Sequence, residues 1–228
     1  MKLKICNNNK TPFKGRFLQP QMRVFLFLLT IIVTANFLSA QKIVKKSFAN
    51  NRIDLININS ENCFEVTLET STVNEISVLA TINGEYQRDL SVQINEEEST
   101  LSVSAGFTPN FTNPNDKLSA HKVISISLHI IIPNNKNVKL YGKSSNVNAS
   151  GNFNDLDISL SDGYCKLTNI GNHVSTTTQS GDIFLENNTA TITATTKYGK
   201  IYDSNIPKGN GVFLLSSITG NIHISKTK

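Results

Sequence analysis

From about residue 137 to residue 228 the chain repeats itself every eighteen residues, and this period constrains its fold more than any other feature. A Gly, once a Ser, recurs at Ser145, Gly163, Gly181, Gly199 and Gly220, in steps of 18, 18, 18 and 21. Around each marker an apolar pattern returns at the positions seven and five before it and two and four after it. These positions read Val138, Leu140, Val147, Ala149; Leu156, Ile158, Cys165, Leu167; Val174, Thr176, Ile183, Leu185; Ile192, Ala194, Ile201, Asp203; Phe213, Leu215, Ile222, Ile224. Only Thr176 and Asp203 break the pattern. One residue out of phase, the positions are mostly polar. Alternation of this kind separates the two faces of a strand. Each repeat is therefore expected to be two short strands with a Gly bend between them, where Gly reaches backbone angles closed to other residues.

Units of this size bury a core only by stacking on their neighbours. The expected fold is all-β: a right-handed parallel β-solenoid of about five coils over 137–228. Equivalent strands would pair about 4.8 Å apart, and crossovers between parallel strands favour the right hand. Ile183 and Ile201 are expected to stack as neighbours in one buried column, while Thr177 and Thr195 face water. Gly142, Leu160, Thr178, Thr196 and Ser217, mostly small, fit a tight inner corner. Asp203 is an acid in an inward column, and the strand is expected to end or bulge there and leave it solvated. The longer step of 21 contains Ile206-Pro207-Lys208-Gly209-Asn210-Gly211, which reads as an inserted loop.

Residues 41–136 are β-rich without the period. Strands are expected at 52–58, 64–68, 75–82, 90–94, 101–104 and 122–132. Residues 95–99 should form a hairpin turn and 106–119 an exposed loop. This region is either a small sandwich or a set of irregular entry coils that cap the stack, since an open solenoid end exposes unpaired edges.

The N-terminus reads as a targeting segment. Arg23 precedes an apolar run from Val24 to Val33, followed by Leu38-Ser39-Ala40 and Gln41. This is a signal peptide over 22–40, cut after Ala40 and preceded by an upstream extension, 1–21. The run is short and polar for a membrane span, so no transmembrane segment is expected after cleavage. The net charge of +5 is a property of that leader. Residues 1–40 hold six Lys or Arg and no acid, and removing them leaves 16 basic and 17 acidic residues. Nucleic acid is therefore not an expected partner.

Little else in the chain carries chemistry. His121, His129, His173 and His223 lack metal-ligand spacing, and no phosphate loop or nucleophile motif occurs. No metal, no cofactor and no catalytic residue is expected. Asp157, Asp182 and Asp203 are the carboxylates a polysaccharide-active enzyme would use, but none has a second acid beside it in the neighbouring repeat. Cys63 and Cys165 are read as buried thiols, with a disulfide as the alternative. One outward column stands out: three residues after each marker lie Asn148, Lys166, Phe184, Tyr202 and His223. Phe184, Tyr202 and His223 would form an aromatic ladder able to grip sugar rings or a cell-surface protein. Plain cross-strand packing would use the same residues.

The serial units Asp162-Gly163-Tyr164-Cys165, Ser180-Gly181-Asp182-Ile183, Tyr198-Gly199-Lys200-Ile201 and Thr219-Gly220-Asn221-Ile222 resemble the putative-adhesin family of bacterial envelope proteins and its related adhesin head domains. The Ser-Ala-Gln signal end resembles exports of the Bacteroidetes. The resemblance covers 137–228 well and the first half weakly. It implies an exported, non-enzymatic adhesin-like protein in the periplasm, at the outer-membrane surface or secreted, and supplies no catalytic residues. A periplasmic accessory role in envelope-stress signalling is the alternative, and a polysaccharide-active β-helix enzyme is a third reading.

Overall fold

The computed structural model describes residue 21 and residues 41–48, 52–84, 87–112 and 124–227. The expected signal peptide, the upstream extension apart from Gln21, and His121 lie outside the described residues. The unit Gln41–Lys228 is compact, and its regular elements among the described residues are all strands. They are β1 (Lys42–Phe48), β2 (Leu55–Asn59), β3 (Glu65–Ser71), β4 (Ile76–Gly84), β5 (Leu90–Glu97), β6 (Thr100–Phe107), β7 (Ile124–Pro133), β8 (Asn137–Ser144), β9 (Asn146–Asp162), β10 (Tyr164–Thr178), β11 (Asp182–Glu186), β12 (Thr191–Thr196), β13 (Ile201–Asp203), β14 (Val212–Ser217) and β15 (Ile222–Ser225).

The strands form one open, mixed sheet with two lanes, joined by the long strands β9 and β10. The first lane runs β5, β6, β2, β8, the C-terminal half of β9, the C-terminal half of β10, β14 and β12. The second runs β1, β4, β7, β3, the N-terminal halves of β9 and β10, then β11, β15 and β13. Pairing is parallel from β6 and β7 onward and antiparallel at β5–β6, β4–β7 and β1–β4. Both lanes send alternate residues into a single buried cluster. In the first lane it contains Val138, Leu156, Val174 and Phe213, and in the second Val66, Val147, Cys165, Ile183 and Ile222. The eighteen-residue phase thus places its apolar set inside, because successive side chains of a strand point to opposite faces.

The pairing corrects the expected order of the last two repeats. Ile183 pairs with Ile222, and Ile222 in turn with Ile201, so Ile183 and Ile201 are not neighbours. In the other lane, Val174 pairs with Phe213 and Phe213 with Ile192. The chain leaves β11, skips one layer to lay down β12 and β13, and returns through residues 204–211 to insert β14 and β15 in the gap. The extra residues of the long step make this return. Ile222 is fully buried, whereas Ile201 is 43% exposed and Asp203 lies exposed at the strand end, accepting a hydrogen bond from the Asn205 N–H at 2.8 Å.

The stacked glycines also have a different cause from the one read in the sequence. Among the marker glycines only Gly163 has a positive φ, of 92°. At Gly220 an added Cβ would lie 2.1 Å from the Gly181 carbonyl oxygen, and at Gly199 it would lie 2.0 Å from that of Gly220. Close approach between layers excludes a side chain there, and the column runs Gly163, Gly181, Gly220, Gly199, in the same permuted order. Ser145 can replace Gly because its hydroxyl has work to do: it is buried and donates to the carbonyls of Ser60 (2.6 Å) and Cys63 (2.9 Å).

The N-terminal half continues the parallel stack. β2 and β3 put Ile56, Ile58, Val66 and Leu68 in register with Val138, Leu140, Val147 and Ala149. Beyond these layers the pairing turns antiparallel at β5–β6, β4–β7 and β1–β4. The expected hairpin joins β5 to β6, with Glu97 opposite Thr100 and Glu98 at φ 53°. The strand β1 was not read from the sequence, since Lys45-Lys46 break its alternation.

Candidate functional site

The outward column of the second lane is set by the registers of seven strands. In order it holds His129, Thr67, Asn148, Lys166, Phe184, His223 and Tyr202. The three aromatic residues singled out in the sequence do come together, with His223 in the middle rather than at the end. Its ring stacks on Phe184 at 4.8 Å between centroids and 10° between planes, and on Tyr202 at 4.7 Å and 12°. These spacings match the distance between neighbouring strands, so the parallel backbone dictates the stacking. Tyr164, one position after its marker and missed by the sequence reading, meets Phe184 edge-on at 6.3 Å and 83°. Its place before Phe184 in the next layer was the available signal.

The geometry decides which ring surfaces a partner can reach. The faces of His223 are occupied by its neighbours, and one face of Phe184 and one of Tyr202 are spent in the same way. With those faces taken, the stacked part of the column offers ring edges rather than faces. The outer face of Tyr202, which is 49% exposed, is the one broad ring surface at the end of the column. The rings both pack across strands and remain at the surface.

Beside the column runs an open groove lined by Thr67, Glu69, Asn148, Ser150, Lys166 and Thr168. Lys166 is paired with Glu186 at 2.9 Å, and His129 with Glu69 at 3.1 Å. The groove and column together offer hydroxyl, amide and charged groups next to aromatic edges on one rigid face.

The other sequence candidates are dispersed. Asp157 lies in the first lane, between Lys139 and Ser175. Asp182 is in the second lane, where it accepts a hydrogen bond from the Asn221 N–H at 2.7 Å, and Asp203 is two layers away. His173 lines a separate hollow with Asp155, Val212 and Leu214. Among the described residues, no three His, Cys, Asp or Glu side chains gather in a metal-binding arrangement. Cys63 and Cys165 are free and buried. Burial pushes both thiols up to about 12, because desolvation penalises the thiolate. Thr176 pulls that of Cys165 weakly the other way. By geometry the Thr176 hydroxyl has no hydrogen-bond partner.

This architecture is shared with a solved protein. A structure described as a putative cell adhesion protein from Clostridium sporogenes ATCC 15579 matches at a TM-score of 0.55 and 14% identity, over 82% of this chain and 100% of that one. Putative adhesins from Bacteroides fragilis NCTC 9343 (TM-score 0.37, 14% identity, 81% of this chain and 97% of that one) and Parabacteroides merdae ATCC 43184 (0.31, 12%, 82% and 97%) are more distantly alike. No family model and no curated protein matches the chain. The chain thus has a fold like that of the Clostridium protein. Among the described residues no helix is long and apolar enough to cross a membrane.

Proposed function

We propose that this chain is an exported, non-enzymatic, adhesin-like protein that presents a rigid β surface to a glycan or a cell-surface protein. In this reading the parallel layers are coils of a right-handed solenoid. The leader is removed after Ala40, and the mature protein works in the periplasm, at the outer-membrane surface or outside the cell. The observation that carries the proposal is the half-exposed column Phe184–His223–Tyr202, fixed at 4.7–4.8 Å spacing on the solvent face of a stack whose opposite face is core. A platform of this kind is pre-organised, so binding to it costs little ordering entropy. The likeness in fold to a protein described as a putative cell adhesion protein supports the same reading.

Binding of the mature protein to a glycan array and to whole cells tests it, with the double variant Phe184→Ser, Tyr202→Ser alongside. Loss of binding is expected, with a stability change of about 1.5–4.5 kcal/mol, since the variant loses the pairs Phe184–His223, His223–Tyr202 and Tyr164–Phe184 and each aromatic pair contributes about 0.5–1.5 kcal/mol beyond its buried area. Undiminished binding by a folded double variant would remove the column from the function. Intact-mass analysis of exported protein checks the processing, with a mature chain beginning at Gln41 expected.

A further inference from the structure

The two ends of the stack treat their unpaired edges differently. At the N-terminal end, the edge strand β1 carries Lys42, Lys45 and Lys46, and β5 ends in Glu96 and Glu97 followed by Glu98. Charges of this kind discourage another strand from adding to an edge. At the C-terminal end, β12 pairs only with β14 and β13 only with β15 among the described residues. β12 reads Thr-Ile-Thr-Ala-Thr-Thr and has no charge. Its inward Ile192 and Ala194 are only partly covered, and Ile201 and Tyr202 of β13 are 43% and 49% exposed. This end has strong strand formers, incomplete burial and an aromatic ring with a free face.

We propose that the C-terminal end binds a second copy of this chain, by antiparallel pairing of β12 with β12 and of β13 with β13 about one two-fold axis. The residue pattern selects the axis. A two-fold perpendicular to a sheet keeps side chains on their own face, so it must pass through a residue position rather than between two. In β12 an axis through Thr193 places Ile192 opposite the partner's Ala194 and Thr191 opposite the partner's Thr195. Large meets small on the core side and Thr meets Thr on the wet side. Thr193 lies four residues before Lys197, and Tyr202 lies four after Tyr198. By this count the proposed axis through Thr193 is placed through Tyr202 as well. Residues directly opposite in antiparallel strands have Cβ atoms about 4.5–5.5 Å apart. The outer face of Tyr202 then meets its own copy, and the column continues as Phe184, His223, Tyr202 and the same three residues reversed. The interface is isologous, as most homodimers are. It joins the two aromatic columns end to end and covers the outer face of Tyr202, and no part of the argument depends on that column having a ligand. The cost is Asp203, which comes opposite Ile201 of the second copy at the solvent rim.

The test is the mass of the processed chain across a concentration series, by sedimentation equilibrium, with three sets of variants. The wild type should reach twice the monomer mass and no more, and Thr193→Lys, which places two like charges on the axis, should be a monomer whose melting temperature equals that of the wild type measured below its dimerisation range. Asp203→Asn should shift dimerisation to lower concentration. Under mild oxidation Thr193→Cys should cross-link to itself, whereas Thr195→Cys should not, because its partner position is 191. A monomer throughout the series, open-ended polymers, an unaffected Thr193→Lys dimer, a weakened Asp203→Asn dimer or preferential cross-linking at 195 would each overturn the proposal. Glycan and cell binding by monomeric Thr193→Lys separates the two readings, because Thr193 is on the opposite lane from the aromatic column and its loss leaves that column intact.

Discussion

The repeat 192–203 and the repeat 213–224 are written on the same template, yet one forms the outer layer of the stack and the other is sealed inside it. The outer repeat contributes Ile192, Ala194, Ile201 and Asp203, and the inner one Phe213, Leu215, Ile222 and Ile224. A layer in the interior of the stack has both sides covered, and one at the end has a single side covered. Burial contributes about 25 cal/mol per Å² of apolar surface, so the more apolar repeat gains more from the interior position. The weaker repeat, with an Ala and an acid, loses least at the edge. The chain follows that ordering although it requires a skipped layer and an eight-residue return. Apolar content, rather than order along the chain, decides which repeats become neighbours.

The largest test of this contrast is a buried charge. Ile222→Asp should abolish folding in buffer, since it places an unpaired carboxylate in a fully enclosed site. Ile201→Asp, the same change one layer out, should cost less than about 1 kcal/mol in urea denaturation, because that position already meets water. Greater damage from Ile201→Asp than from Ile222→Asp would mean that the repeats stack in chain order after all.

Truncation gives the next effect in size. Phe213→Ala should cost about 3–5 kcal/mol, as a fully buried aromatic does. Ile192→Ala, its neighbour across the β12–β14 ladder, is partly covered and should cost about 1 kcal/mol. If Ile192→Ala proved as costly as Phe213→Ala, β12 would have to be covered in solution by something further, and the second copy proposed above is the candidate. A denaturation series at several protein concentrations distinguishes the cases, since stability gained from a partner rises with concentration.

The all-β class and the inward and outward phase of each repeat could be read from the sequence because a period of two along a strand maps directly onto the two faces. Cys165 in an inward column and the exposed Thr177 and Thr195 follow from that phase, whereas the solvated Asp203 follows from its charge, which the phase alone would have put inside. Layer order could not be read in the same way, because every repeat presents the same pairing edge. The column Phe184–His223–Tyr202 was therefore assembled from the right residues in the wrong sequence. The signal was present in the weakness of Ile192, Ala194, Ile201 and Asp203 as a set, together with the longer step before Val212. The glycines illustrate a second limit. Their spacing marks the bend, but the reason for Gly at 220 and 199 is the carbonyl of the layer beside it, which is a property of stacking. Gly220→Ala should accordingly cost about 1–3 kcal/mol by overpacking against Gly181, and a neutral result would show that the layers are less tightly stacked than this.

The smallest expected effect sharpens the comparison from below, at the layer on which the inner repeat rests. Thr176 is the polar exception in the repeat 174–185, and it pairs with Leu215 on one side and Ile158 on the other. It is fully buried, and its hydroxyl has no hydrogen-bond partner. A buried unpaired hydroxyl costs about 1–3 kcal/mol in lost hydration. Thr176→Val keeps the β-branched shape, removes that cost and adds a methyl to the core, so it should raise stability by about 1 kcal/mol, seen as a higher urea midpoint with an unchanged slope. At the edge, Ala194→Val adds methyl groups to a position that is only partly covered, and should move stability by no more than about 0.5 kcal/mol. If Thr176→Val destabilised the protein, the hydroxyl would have to be satisfied, with the Cys165 thiol beside it as the obvious acceptor. Cys165→Ala would then lose the same increment, and the double variant would show the two changes to be coupled.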